Sequence, residues 1–314
     1  MRSARALTLL AGFLVLGLVP VVAALADQPF YLDLFRRIMI FAIAAVSLDL
    51  ILGSGGMVSF GHAAYLGIGA YAVAIPAFYG IHSGLVQWTL ALGLSGVAAL
   101  AIGAVSLRTS GVSFIMITLA FAQMLYYLGI SINAWGADDG MRLARRSQFG
   151  GVVDLTNGYV FYYVVLGVLV ALLALGHRLV HARFGVVIRA AKSNEPRMRA
   201  IGFSTFRYKL AAFVIAGAVG GLAGALLTNQ TEYLTPSYMH WTRSGDIMVM
   251  VILGGMGTLY GPVLGAVVFL LLEDILSAWT VHWQVVLGPL LVLVVLYARR
   301  GLWSLLPGAI ARDG

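Results

Sequence analysis

The feature that most constrains this chain is a succession of apolar stretches, each near the length of a membrane crossing and each closed by a polar or glycine-rich joint. They cover residues 6–26, 38–54, 63–80, 86–106, 111–131, 159–180, 208–228, 245–258, 261–278 and 282–298. A hydrocarbon core of about 30 Å takes roughly 20 helical residues, and lipid offers no partner for backbone N–H and C=O groups, so each segment must satisfy its own. The sequence therefore predicts an all-α polytopic membrane protein with about ten transmembrane helices, some of them short. Only 10% of the 314 residues are charged, less than half the soluble norm, and this excludes a soluble globular fold.

The charges that remain are unevenly placed. Residues 177–209 hold eight of the 20 Lys and Arg (Arg178, Arg183, Arg189, Lys192, Arg197, Arg199, Arg207, Lys209) against a single acid, Glu195. The positive-inside rule puts that loop in the cytoplasm. With alternating spans, Arg2, Arg5, Arg108, Arg299 and Arg300 fall on the same side, which predicts cytoplasmic termini. The net charge of +8 thus reflects membrane orientation and implies no nucleic acid. Arg2 and Arg5 ahead of a stretch ending Ala24-Leu25-Ala26 look like a signal peptide, but residues 6–26 exceed the usual core of about 7–15 residues. A retained first helix is expected.

Two joints are unusual. Residues 51–67 and 252–265 both read Ile-Leu-Gly, then Gly-Met, then aromatic-Gly, then Leu-Gly, and each follows an acid, Asp49 or Asp246. Non-helical backbone at membrane depth is tolerated where it is buried in protein or lines a wet cavity, and paired glycine-interrupted segments point to a transport pathway. Glycines also let helices pack closely, so the duplicated order carries the pathway reading. Its residues are Ser59, Gly61, His62 and Tyr65 in the first break and Gly254, Gly255, Gly257 and Thr258 in the second. On the side opposite the basic loop, the mixed segment 133–158 (Asp138, Asp139, Arg142, Arg145, Arg146, Asp154) and residues 229–244 offer an external surface for a docking partner.

Several chemistries lack their residues. The only lysines are Lys192 and Lys209, preceded by Ala191 and Tyr208, so there is no Gly-Lys-Ser/Thr phosphate loop. Ser59 and His62 lack the Gly-x-Ser-x-Gly elbow and a local acid to orient the imidazole, which argues against a hydrolase. His177 and His181 have ligand spacing but no intervening Glu, and there is no Cys. Neither a catalytic nor a metal site is expected. A proton-coupled transporter is the stronger rival, since Asp49 lies near mid-membrane, where an ionised acid is costly unless paired or wet; Glu273 and Asp274 add to it.

Residues 189–202, Arg-Ala-Ala-Lys-Ser-Asn-Glu-Pro-Arg-Met-Arg-Ala-Ile-Gly, form a charged amphipathic piece with a helical reading: Ser193 or Asn194 can cap it, Pro196 fits its first turn and Gly202 can end it. A proton-coupled carrier has no need of it; a subunit driven by a soluble partner does.

This segment, Gly-x-x-Ser-x-Gly-His-Ala-x-Tyr-x-Gly-x-Gly-Ala-Tyr at 56–71, Phe-Arg-Tyr-Lys-Leu-Ala-Ala-Phe at 206–213 and Leu-Gly-Gly-Met-Gly-Thr-Leu-Tyr-Gly-Pro-Val-Leu-Gly-Ala at 253–266 resemble, in family order, the LivM-type permease of branched-chain amino acid ABC importers. The resemblance implies a single permease domain over 1–314 in the bacterial inner membrane. It implies a second, LivH-like permease, two cytoplasmic ATPases that carry ATP and Mg, and a periplasmic solute-binding protein, with no cofactor in this chain. By position, Asn194, Glu195, Ala200 and Gly202 match the family's coupling helix, with Arg189 and Lys192 as its basic flank, while Val186 departs from the basic residue common there. Branched-chain or other hydrophobic amino acids are the implied solutes; urea, short amides and aromatic acids are carried by similar permeases.

Overall fold

The computed structural model describes residues 2–150, 153–280, 282–297 and 301–305. Twelve α-helices follow one another among them: α1 (Arg2–Leu25), α2 (Pro29–Leu52), α3 (His62–Phe78), α4 (Gly84–Ser106), α5 (Val112–Ser131), α6 (Gly158–His181), α7 (Arg183–Ser193), α8 (Glu195–Ala200), α9 (Thr205–Thr231), α10 (Trp241–Gly254), α11 (Gly261–Trp279) and α12 (Trp283–Tyr297). Each expected apolar stretch falls on a helix. Five of them, α4, α5, α6, α9 and α11, are long and apolar enough to cross a membrane by length and composition alone. The others fall short for separate reasons. Within α2 sit Asp33, Arg36, Arg37 and Asp49, and the 14 residues of α10 span only about 21 Å at 1.5 Å per residue. Arg299 and Arg300, expected on the basic side, lie outside the described residues.

At the centre of the bundle is α2, buried without interruption from Ile38 to Asp49. It packs against α6, α9, α10 and α11. The long helix α9 packs against α2, α3 and α4, with a face made of Gly217, Gly220, Gly221 and Gly224. In lipid, helices associate through close packing because hydrocarbon solvates Leu as well as protein does, and this face brings backbones together. A Cβ on Gly224 would lie 1.8 Å from the Leu66 carbonyl oxygen, and one on Gly221 would lie 2.1 Å from Ser95 Oγ. By contrast α5 buries few positions and presents Met124 and Tyr127 outward, the polarity of a lipid-facing helix.

The two segments opposite the basic loop are stitched together by short strands, which the sequence reading did not anticipate. Strand β1 (Met141–Arg142) pairs antiparallel with β4 (Tyr233–Leu234), and β2 (Gln148–Phe149) with β3 (Val153–Asp154). Arg146 Nε lies 2.9 Å from Glu232 Oε1, and the Ser147 N–H donates to Asn229 Oδ1 at 2.7 Å. The described residues of 133–158 thus form one layer with residues 229–244.

Candidate functional site

The helix expected after a cap at Ser193 or Asn194 is α8, with Pro196 in its first turn, and a second helix, α7, precedes it and ends at Asn194. Pro196 explains the division: in a continuous helix it would lack the N–H to bond the Lys192 carbonyl and its ring would clash there. Asn194 adopts an extended conformation and its Oδ1 accepts from the Arg197 N–H at 2.9 Å, so it, and not Ser193, is the cap. Gly202, at φ +93°, closes the segment in the left-handed region that glycine enters without strain.

Glu195 faces its own chain. It accepts from Arg199 at 2.7 Å, Thr205 Oγ1 at 2.9 Å and Lys209 Nζ at 2.5 Å, and so ties α8 to the start of α9. Partial burial raises its pKa, but the bonds from Lys209, Thr205 and Arg199 and the Lys209 charge outweigh that and bring it from an ordinary 4.5 down to about 2. Arg189 donates to the Val180 carbonyl at 2.9 Å. What the loop offers outward includes Ala200, Gly202, Arg197 and Arg207 together with two apolar side chains sequence reasoning missed, Ile201 and Phe203. Apolar groups exposed in a water-facing charged loop were the available signal.

Lys192 turns inward. Its Nζ donates to the Gly53 carbonyl at 2.7 Å, and Gly53 begins the first glycine break, which separates α2 from α3. Gly53 in turn lies against the second break, between α10 and α11: a Cβ added to it would sit 2.3 Å from Gly257 N and 2.1 Å from Asp49 Oδ1. The same Asp49 oxygen accepts the Gly257 N–H at 2.8 Å. The acid ahead of the first break therefore bonds the second. Gly257 has φ +77° and Gly255 φ +120°, conformations a β-carbon resists, and Thr258 Oγ1 closes that loop by donating to the Gly255 carbonyl at 2.6 Å. A cavity of about 50 Å³ beside Asp49, lined also by Ser47, Ser54 and Gly257, is wide enough to admit water.

The remaining pathway candidates lie deeper, in the packing between α2, α3, α5 and α9. The buried Ser59 Oγ accepts from the Gly61 N–H at 3.2 Å. A Cβ on Gly61 would meet the Thr118 carbonyl at 2.9 Å. His62 Nε2 is 2.7 Å from Ser47 Oγ, not paired with Ser59, and its ring packs edge-on against Tyr65, which packs likewise on Phe213. Gly254 lies against Gly261 and Pro262. Neither Ser59, His62 nor Tyr65 lines the cavity beside Asp49. His177 and His181 stack with ring centres 4.1 Å apart, and no cluster of three or more potential metal ligands exists among the described residues.

Known proteins resemble this chain in sequence. Residues 30–296 match the family described as branched-chain amino acid transport system, permease component. The chain is 28% identical over 296 residues to the high-affinity branched-chain amino acid transport system permease protein LivM of Salmonella typhimurium, covering 86% of this chain and 69% of that one. It is 23% identical to the probable branched-chain amino acid transport permease protein LivM of Methanocaldococcus jannaschii, covering 82% and 85%. To the LivH permease protein of Escherichia coli it is 27% identical, covering 83% and 90%. No solved structure matches it significantly. These relatives are transport subunits and not enzymes, and the match spans both glycine breaks and the basic loop between them. The chain belongs to the family of permease components of branched-chain amino acid transport systems, multi-pass membrane proteins of ABC importers.

Proposed function

We propose that the chain crosses the inner membrane of a bacterium ten times and pairs with a LivH-like permease. In this reading two cytoplasmic ATPases, which bind ATP and Mg, drive it, and a periplasmic binding protein delivers branched-chain or other hydrophobic amino acids to its opposite face. Residues 189–202 are the coupling segment, with Arg189, Lys192, Asn194, Glu195, Ala200 and Gly202 giving it shape and Ile201 exposed at its tip. The two glycine breaks form the moving part of the pathway.

One observation supports this reading most directly: the Lys192 ammonium on α7 bonds the Gly53 carbonyl, and Gly53 abuts the Gly257 backbone that Asp49 holds. A displacement of the loop by an ATPase thereby reaches both breaks through three adjacent contacts. Glycines in the breaks let backbone slide on backbone without side chains to lock it.

The test is Lys192→Met in the reconstituted importer. The expected result is normal assembly and ATP hydrolysis with uptake reduced about tenfold, the scale of losing one charge-assisted hydrogen bond. Uptake at the wild-type rate in that variant and in Gly53→Ala would refute the linkage.

A further inference from the structure

A second cavity, about 500 Å³, lies within the ~300–1,000 Å³ range of small-molecule sites and plays no part in the linkage above. It sits where α2 begins and α9 ends, lined by Asp33, Leu34, Gln230 and Thr231 among others. Along the 27 residues of α9 this is about 40 Å from the basic loop, beneath the stitched outer layer.

Its walls are of two kinds. Leu34, Phe41, Leu66 and Leu227 give an apolar side; Arg37, Arg146, Arg243, Asp33 and Asp274 give a charged one, in which Arg146 pairs with Glu232 and Asp33 with Arg36. Arg37 holds Glu273 at 3.1 Å and Arg243 holds Asp246 at 3.4 Å. Each guanidinium has five N–H donors, so both keep donors for a further carboxylate. Asp274 enters no ion pair among the described residues. A carboxylate in a cavity without a cationic partner calls for one, and an ammonium supplies it.

We propose that this cavity is a subsite for an α-amino acid zwitterion with an apolar side chain. The ligand carboxylate lies on Arg37 and Arg243, its ammonium on Asp274, and its hydrocarbon against Phe41, Leu66 and Leu227. A ligand bearing both charges meets both sets of groups and brings no net charge to the membrane edge, whereas a simple amine or carboxylate meets only one. The proposal rests on the amino acid importer reading and adds to it a site within this chain.

The experiment measures binding of radiolabelled L-leucine to the permease–ATPase complex without its binding protein, in phosphatidylglycerol nanodiscs, where no zwitterionic headgroup competes. Saturable binding is expected, with isopentylamine and isocaproate each competing at least about tenfold more weakly than L-isoleucine, since each forfeits one charged contact. Asp274→Asn should weaken leucine by about tenfold, with recovery in Asp274→Glu. Absent leucine binding, equal competition by isopentylamine, or unchanged affinity in Asp274→Asn overturns the subsite. Nanodiscs containing phosphatidylethanolamine separate the other source of the same chemistry: unchanged leucine affinity supports the solute, and abolished binding assigns the cavity to lipid. ATP-driven uptake is read independently. If the importer carries no amino acid while binding behaves as expected, the function reading falls and the subsite stands.

Discussion

A carboxylate in an apolar bundle needs a hydrogen-bond donor, and Asp49 has found one in the Gly257 N–H, 208 residues further along the chain. Asparagine keeps an acceptor oxygen at that position, so Asp49→Asn should support ATP-driven uptake close to wild type. Asp49→Leu leaves the Gly257 N–H unmatched at a cost of roughly 1–3 kcal/mol, and should lower thermal stability and uptake together. Loss of uptake in Asp49→Asn would mean instead that the acid itself carries charge. Glu195 gives a pH prediction. Its pKa falls from 4.5 to about 2 on folding, so its stabilising contribution is complete above 4.5 and is lost as pH drops from there through about 2. Protection of residues 195–205 against hydrogen exchange, taken relative to the intrinsic rate at each pH, should fall over that window, and in Glu195→Gln it should be low at neutral pH already. A flat profile in the wild type would remove Glu195 as the tie between α8 and α9.

Elements of this bundle owe their positions to which residues they lack. The α9 face works because glycine has no β-carbon where α3 and α4 cross it: at Gly221 a Cβ would overlap Ser95 and, at 2.7 Å, crowd the Ala91 carbonyl. Backbone cannot retreat as a flexible side chain can, so Gly221→Val is expected to separate α9 from α4 and reduce the yield of folded protein in detergent. Gly93 on α4 has nothing within 4 Å of its added Cβ. Gly93→Ala should therefore be neutral or slightly stabilising, helix propensity favouring Ala by up to about 1 kcal/mol. Size-exclusion profiles of the two variants compare them directly; similar behaviour would mean that the glycine face does not set the crossing.

For the whole molecule, the absence of a phosphate loop and the separation of basic loop from outer layer lead to one expectation. Purified alone in liposomes, the chain should take up no amino acid under a pH gradient. With the second permease, ATPases and binding protein, uptake should appear and require ATP. Gradient-driven uptake by the isolated chain would overturn the assignment to an ATP-driven importer.

How much of this was legible in advance depends on distance along the chain. Hydropathy, charge bias and glycine punctuation are properties of adjacent residues, and they sufficed for the helical class and for a helix at each apolar stretch, five of them long and apolar enough to cross a membrane. They also marked Asn194 as a cap, because capping is settled within a few residues. The helix read as capped at Ser193 or Asn194, with Pro196 in its first turn and Gly202 at its end, is α8; the separate helix α7 before it was not read from the sequence. Only the tertiary structure could decide that Asp49 bonds the opposite break, that Lys192 turns inward to Gly53, or that Arg37, Arg243 and Asp274 line one cavity with Leu66 and Leu227. Those pairings join residues far apart in sequence. What selects them is the fit of helix faces around α2 and α9, which no local pattern encodes.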